Sequence, residues 1–108
     1  MVTLTEATFR NEIHGSDVPV VVDFYADGCE PCRQLAPIME ELSRKYQPRV
    51  RFAKVNVDNA RELADSYRIG SIPAVVLFHR GDPVARSIGV KPAGRLELDL
   101  GLGVISRP

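Results

Sequence analysis

The segment Val20-Val21-Val22-Asp23-Phe24-Tyr25 constrains the fold more than any other stretch of this 108-residue chain. Successive side chains of a strand point to opposite faces, so a strand with one face in water alternates apolar and polar residues. This segment is apolar on both faces except at Asp23, the pattern of a central strand covered by helices on both sides. Val50 to Val57 reads as a second buried strand. Between them, a helix is expected from about Pro31 to Tyr46, because Leu35, Met39, Leu42 and Tyr46 recur at spacings of four, three and four on one face. Pro37 inside it removes one backbone donor and predicts a kink.

The flanks complete an alternating order. Thr5 suits a helix N-cap, with Leu4 and Phe9 at the two positions of a hydrophobic staple, and a short strand at Val2–Leu4 can precede it. Asn59 with Glu62 forms a capping pair for a helix ending near Tyr67. Ala74 to Phe78 and Val84 to Ile88 are strands joined through Arg80-Gly81-Asp82-Pro83, a hairpin signal. Beyond Pro92 two patterns compete. Leu96, Leu98, Leu100 and Leu102 alternate as in a strand, whereas length and position suit a closing helix that Gly101 and Gly103 weaken. The sum is an α/β chain: a mixed sheet, parallel early and antiparallel late, sandwiched by helices in one domain over 1–108.

Charge excludes some functions. Fourteen Lys and Arg balance fourteen Asp and Glu, leaving no net electrostatic footprint for nucleic acid or an anionic membrane. Met1-Val2-Thr3-Leu4-Thr5-Glu6 lacks the basic and apolar regions of a signal peptide. No apolar run, Val18 to Val22 included, is long enough to cross a bilayer. A cytoplasmic location is therefore expected, and there a working thiol pair is favoured over a structural disulfide.

Cys29 and Cys32 are the only cysteines, placed between a buried strand and a helix start. Disulfide exchange needs a thiolate, and the free amides and dipole at a helix N-terminus stabilise one. The first cysteine can sit exposed over those amides, while the second lies one turn inside, close enough to close a disulfide on it. Pro31 fits an early helical position, where its missing N–H costs nothing. Three other readings remain open. A structural disulfide closing so short a loop stabilises by only about 2 kcal/mol, less than half the effect of a 100-residue loop. Zinc would need ligands from His14, His79 or carboxylates, and the histidines lack finger-like spacing. The cysteines can also be inert and buried. Position favours redox chemistry.

The stretch from Val22 to Arg33, Val-Asp-Phe-Tyr-Ala-Asp-Gly-Cys-Glu-Pro-Cys-Arg, resembles the active-site segment of the thioredoxin family. The likeness continues through Ala36-Pro37, Ala53 to Asp58, Ile69-Gly70-Ser71-Ile72-Pro73-Ala74 and Gly81 to Gly89, in the family's order, to about Leu100. It implies a thioredoxin-like three-layer sandwich, with a central mixed sheet of about five strands flanked by about four helices. It also implies a protein-disulfide reductase that binds no cofactor and acts, as a monomer, through a redox-active Cys29–Cys32 disulfide. Cys29 would be the attacking thiolate and Cys32 the resolving thiol. Asp23 matches a buried aspartate beneath the disulfide, a candidate base for Cys32 through water, with a merely hydrogen-bonded strand residue as the alternative. Lys54 matches a lysine beside it. Pro73 matches a cis-proline that leaves the Ile72 backbone free to pair with an extended substrate, and Gly89 would line the same groove. Partners would be protein disulfides and a thioredoxin reductase drawing on NADPH, or a dedicated donor.

The sequence departs from the family at two positions beside the cysteines. Gly28 stands where the family has Trp and Glu30 where it has Gly; Tyr25 replaces a strand-end Trp, and the chain has no tryptophan. Losing the flanking aromatic removes apolar surface for partners. Glu30 suits a helix first turn. At about 7 Å from Cys29 and largely solvated, it should repel the thiolate by somewhat under 1 kcal/mol. The couple then becomes slightly more reducing, on the order of 10–20 mV. An oxidant or isomerase of the same fold, and a docking module with idle cysteines, are the alternative functions.

Overall fold

The computed structural model describes residues 1–107. Its central strand, β2 (Val20–Tyr25), pairs in parallel with β3 (Arg51–Asn56) on one edge and antiparallel with β4 (Ala74–His79) on the other. The two-residue β1 (Val2–Thr3) adds in parallel to β3, and β5 (Asp82–Ile88) adds antiparallel to β4. The strand order is β1-β3-β2-β4-β5. Helices α1 (Glu6–His14) and α3 (Arg61–Ser66) carry the loops on one face; α2 (Glu30–Tyr46) and α4 (Ala93–Leu100) cover the other.

Strand parity sorts the core into those two layers. Val20, Val22 and Phe24 pack with Phe9 and Ile13 of α1, and with Val76 and Phe78 of β4. Val21 points the other way, into Leu35, Met39 and Leu42 of α2 and Leu96 and Leu100 of α4. Asp23 has the parity of Val21 and so lies on the α2 face. Thus the double-sided apolar pattern and the α/β sandwich of five strands are both found. Among the described residues, no helix is long and apolar enough to cross a membrane.

Local signals hold in most places. Thr5 caps α1, its Oγ1 accepting the Thr8 amide while Thr8 Oγ1 accepts the Thr5 amide, and Leu4 and Phe9 are both buried in one cluster. The hairpin is tighter than expected. Arg80 and Gly81 alone form the turn, both at positive φ (54° and 87°) as a twisted two-residue turn requires. The strands therefore extend to His79 and Asp82, and Pro83 is tolerated because β5 is an edge strand with a register shift at this point.

Two expectations are corrected, and the two competing patterns of the tail are resolved. Val57 leaves the strand for a 3₁₀ turn, Val57–Asn59, because Asn56 Oδ1 accepts the Asp58 amide. The Asn59–Glu62 capping pair does not form: α3 has no side-chain cap of its own. Instead Glu6, in the first turn of α1, reaches across and accepts the amides of Glu62 (3.1 Å) and Leu63 (3.4 Å). The tail is helical but divided. Leu96 and Leu100 are buried one turn apart, Leu98 is 77% exposed, and Gly101 at φ 67° ends α4 and begins α5 (Leu102–Ile105). The closing helix is thus the pattern the fold uses, the strand-like alternation of leucines is a coincidence of spacing, and the described residues hold five α-helices.

Because the cap of α3 is supplied from α1, Glu6→Ala should destabilise by about 1 kcal/mol, the usual worth of a capping acceptor. Asn59→Ala should stay within about 0.5 kcal/mol, as at any exposed site without a partner. Urea unfolding of the two variants checks both.

Candidate active site

Helix α2 begins directly over the C-terminal end of β2. Cys29 is its N-cap: the Cys32 amide donates to Cys29 Sγ at 3.2 Å, and the Cys29 carbonyl accepts the Arg33 amide. The sulfur therefore occupies the place where a helix most favours negative charge. Glu30 and Pro31 form the first turn, where proline's missing donor loses no bond. Cys29 and Cys32 are joined as a disulfide with Cα atoms 5.2 Å apart. They are not equivalent. Cys29 is half-buried, whereas Cys32 is only 5% exposed.

Beneath Cys32 lies a cleft of about 250 Å³, lined among others by Asp23, Lys54, Gly28, Asp27 and Arg33. Asp23 and Lys54 are register partners on β2 and β3, and parity points both toward α2. Asp23 is 5% exposed and its Oδ1 has no hydrogen-bond partner. Burial pushes its pKa up from 3.8 to about 6, against the opposing pull of the Lys54 charge. Lys54 is half-buried rather than a solvated strand lysine, with Nζ 5.5 Å from the centre of the Tyr25 ring.

A second group of expected residues stands at the same end of the sheet. Register pairs Phe24 with Ala74 and Ala74 with Ile88, so Pro73 and Gly89 flank the strand end from which the cysteine loop departs. The Ile72–Pro73 bond is cis, as the resemblance implied. The Gly89 amide donates to the Pro73 carbonyl at 2.8 Å, tying the two loops together. Arg86 on β5 donates to the Tyr67 and Arg68 carbonyls, fixing the start of the loop that leads to Pro73. Neither Pro73 nor Gly89 lines the Asp23 cleft.

Glu30 does not stand alone beside Cys29. Its Oε2 accepts from Arg33 Nη2 at 2.6 Å, with both side chains exposed. The pair halves no charge by burial, but a cation three residues on offsets the carboxylate. The repulsion expected of a lone Glu30 is correspondingly reduced. The spacing of three on a helix was visible in the sequence and was the missed signal. Asp27 was also missed: its Oδ2 accepts from Asn56 Nδ2 at 3.4 Å across the cleft mouth. Nothing local marks that contact, because the two residues meet only when β2 and β3 pair. Among the described residues, no group of three or more His, Cys, Asp or Glu side chains gathers as a metal site.

Comparison with known proteins agrees with this geometry. The thioredoxin family model matches residues 1–100. The chain is 45% identical over 98 residues to a thioredoxin of Alicyclobacillus acidocaldarius subsp. acidocaldarius, covering 91% of this chain and 92% of the relative. It is 39% identical over 97 residues to thioredoxin 1 of Nostoc sp. PCC 7120 (90% and 91% covered). To thioredoxin C-2 of Corynebacterium nephridii it is 38% identical over 96 residues, 89% of each chain. With a half-exposed cysteine capping a helix and a buried one joined to it, the chain belongs to the thioredoxin family and is a thiol–disulfide oxidoreductase of the protein-disulfide reductase type.

Proposed function

We propose that Cys29 is the attacking thiolate, Cys32 the resolving thiol and Asp23 the group that takes the Cys32 proton. The asymmetry of the pair carries this reading: a partner can reach Cys29, whereas Cys32 is buried above an acid with a free oxygen. In the reduced protein the Cys29 thiolate attacks one sulfur of a substrate disulfide. A mixed disulfide forms, the substrate S–S bond breaks, and the departing substrate thiolate takes a proton from water. Cys32 then loses its proton to Asp23 through a water in the cleft and attacks Cys29. The Cys29–Cys32 bond forms as the mixed disulfide breaks, the second substrate sulfur leaves as a thiolate that takes a proton from water, and two electrons have passed to the substrate. An acid with a pKa near 6 suits this, since it is ionised at neutral pH yet basic enough to accept a proton. Lys54 moderates that pKa.

Substrate is held by main chain. The Ile72 backbone beside the cis bond, with Gly89 tied to Pro73, offers a short edge for an extended segment. Gly28 (φ 76°) and Pro31 border the disulfide without a large side chain, so contact there is small. The oxidised pair returns to the dithiol through a thioredoxin reductase drawing on NADPH, or through a dedicated donor that accepts the missing aromatic. A dithiol kept reduced in this way belongs in a reducing compartment, the cytoplasm, and the chain acts there as a monomer.

Cys32→Ser should leave the first step intact and block the second. Incubated with a protein disulfide, it should accumulate a covalent adduct on Cys29 that a reductant releases, visible on a non-reducing gel. Absence of any adduct would favour idle cysteines.

Asp23 also sets a pH dependence. Its pKa is raised in the folded protein, so the unfolded chain releases this proton first and stability falls as pH rises from about 4 to about 6. The rise from 3.8 to about 6 corresponds to about 3 kcal/mol, fully present above pH 6. Asp23→Asn in the oxidised protein should therefore be more stable than the parent at pH 8, by up to about 3 kcal/mol, and near parity at pH 4. Its resolution step should slow and lose its pH dependence near 6. Urea unfolding at the two pH values and decay of a preformed mixed disulfide measure the two effects.

The Glu30–Arg33 pair leads to an opposed pair of shifts. Glu30→Gly should raise the redox potential by less than about 15 mV, because Arg33 already offsets the carboxylate. Arg33→Met should lower it, by leaving that carboxylate uncompensated. Equilibration with glutathione measures both, and shifts of the same sign would remove the electrostatic account.

A further inference from the structure

The corner between β5 and α4 is built around one carboxylate that takes no part in the disulfide cleft. Asp99, on α4, has a side chain only 15% exposed. Its Oδ2 accepts from Ser87 Oγ at 2.9 Å and from Lys91 Nζ at 2.8 Å. Its Oδ1 accepts from Arg95 Nε at 3.0 Å, one turn earlier on the same helix. Ser87 is itself buried. These contacts share a geometry: Ser87 lies two residues before Gly89 and Lys91 two residues after it. A single oxygen thus holds both ends of the five-residue arc whose middle residue donates to the Pro73 carbonyl.

That arc needs holding. Gly89 sits at φ 87°, and its flanking residues Ile88 and Val90 are 42% and 37% exposed, so few core contacts fix it. Ser87 and Ile88 are held by the sheet through their β4 partners Val75 and Ala74; beyond the strand, the Gly89–Pro73 bond and the contact of Lys91 with Asp99 tie the segment to the body of the protein. Charge-assisted bonds to a partly shielded carboxylate are the strong kind.

We propose that Asp99 is a positioning residue for substrate binding: by pinning Ser87 and Lys91 it fixes the Gly89 edge of the groove, and through it the Pro73 carbonyl. This rests on the reading of Ile72, Pro73 and Gly89 as the edge that holds an extended protein segment. Asp99 touches neither substrate nor sulfur. Its loss should weaken the binding of protein substrates and spare the chemistry of the cysteines.

The test uses single-turnover mixing of the pre-reduced full chain with excess insulin, or with the small disulfide 5,5′-dithiobis(2-nitrobenzoate), which needs no extended edge. Asp99→Asn and Lys91→Met should each raise the half-saturating insulin concentration about fivefold, the effect of losing one charge-assisted contact. Each should leave the rate with the small disulfide within about twofold. The two variants change net charge in opposite directions, so a field effect on the substrate would move them oppositely and overturn the proposal. Glu97→Gln is the structural control. Glu97 lies on the same helix as Asp99 but contacts Lys45 and Tyr46 of α2, so its loss should leave insulin binding unchanged. If it weakens insulin as much as Asp99→Asn does, or if Asp99→Asn slows both disulfides alike, Asp99 is merely structural. Gly89→Ala separates the two levels, since its added methyl meets no protein atom within 4 Å and enters the groove edge at a disfavoured φ. A raised insulin requirement with Gly89→Ala but not Asp99→Asn sinks only the positioning role. No effect from either sinks the groove reading, and the proposal with it.

Discussion

The burial of β2 on both faces, with hydrogen-bonded neighbours on both edges, is the constraint from which the rest follows. A strand so placed has no room for a charged group, yet Asp23 lies at its fourth residue. Its parity decides where that acid goes. It shares a face with Val21, hence with α2, and comes to lie beneath Cys32 rather than against α1. An acid in such surroundings has two ways to reduce its cost: hold its proton longer or find a cation. This one does both, through a raised pKa and the Lys54 charge on the adjoining strand.

The same strand fixes the electrostatics of the sulfur. Its C-terminal end determines where the loop over residues 26–29 turns back and where α2 starts. The Cys32 amide, free at the start of that helix, then meets Cys29 Sγ. Acid and sulfur thus meet at one helix start, where Cys29 Sγ accepts the Cys32 amide and Asp23 lines a cleft with Cys32. On the proposed reading, the Cys29 thiolate and the Asp23 carboxylate are two negative charges at the same end of the sheet, and Cys32 shares the cleft with Asp23. Glu30 adds a third negative charge at the rim, but there water and Arg33 limit its reach.

Legibility in the sequence followed the range of the interaction. Periodicity read the buried strands, the long helix and the two-layer core, because each signal lies within one element. The cap at Thr5 and the turn at Arg80-Gly81 are equally local. Asp23 stood out as an acid inside an apolar run, and it is indeed buried, with its pKa pushed up by that burial. What failed was contact between elements. The cap of α3 comes from Glu6, more than fifty residues earlier, while the nearer Asn59 offered a plausible but unused acceptor. The Asp27–Asn56 contact joins residues far apart in the chain, whereas the Asp99 cluster lies within thirteen residues but crosses from strand to helix, so no single period marks it. The leucine alternation near the C-terminus misled for the opposite reason: spacings of two and four coexist in it, and only burial of Leu96 and Leu100 shows which one the fold uses.

The substitutions beside the cysteines bear on how a partner can be gripped. With Gly28 in place of a large aromatic, the rim of the disulfide offers little side-chain area, and recognition falls to backbone at Ile72 and Gly89 on the proposed reading. A backbone edge binds through directed hydrogen bonds, whose strength declines steeply with misalignment. An apolar patch tolerates small displacements; such an edge does not. It therefore needs loops whose positions are set from the rigid sheet. Adjacent residues of β5 meet that need on opposite faces: Arg86 ties the loop that leads to Pro73, and Ser87 joins Asp99 beside the loop that follows Gly89. The strand alternation that divides the core into two layers also sends these two anchors to the two walls of the groove.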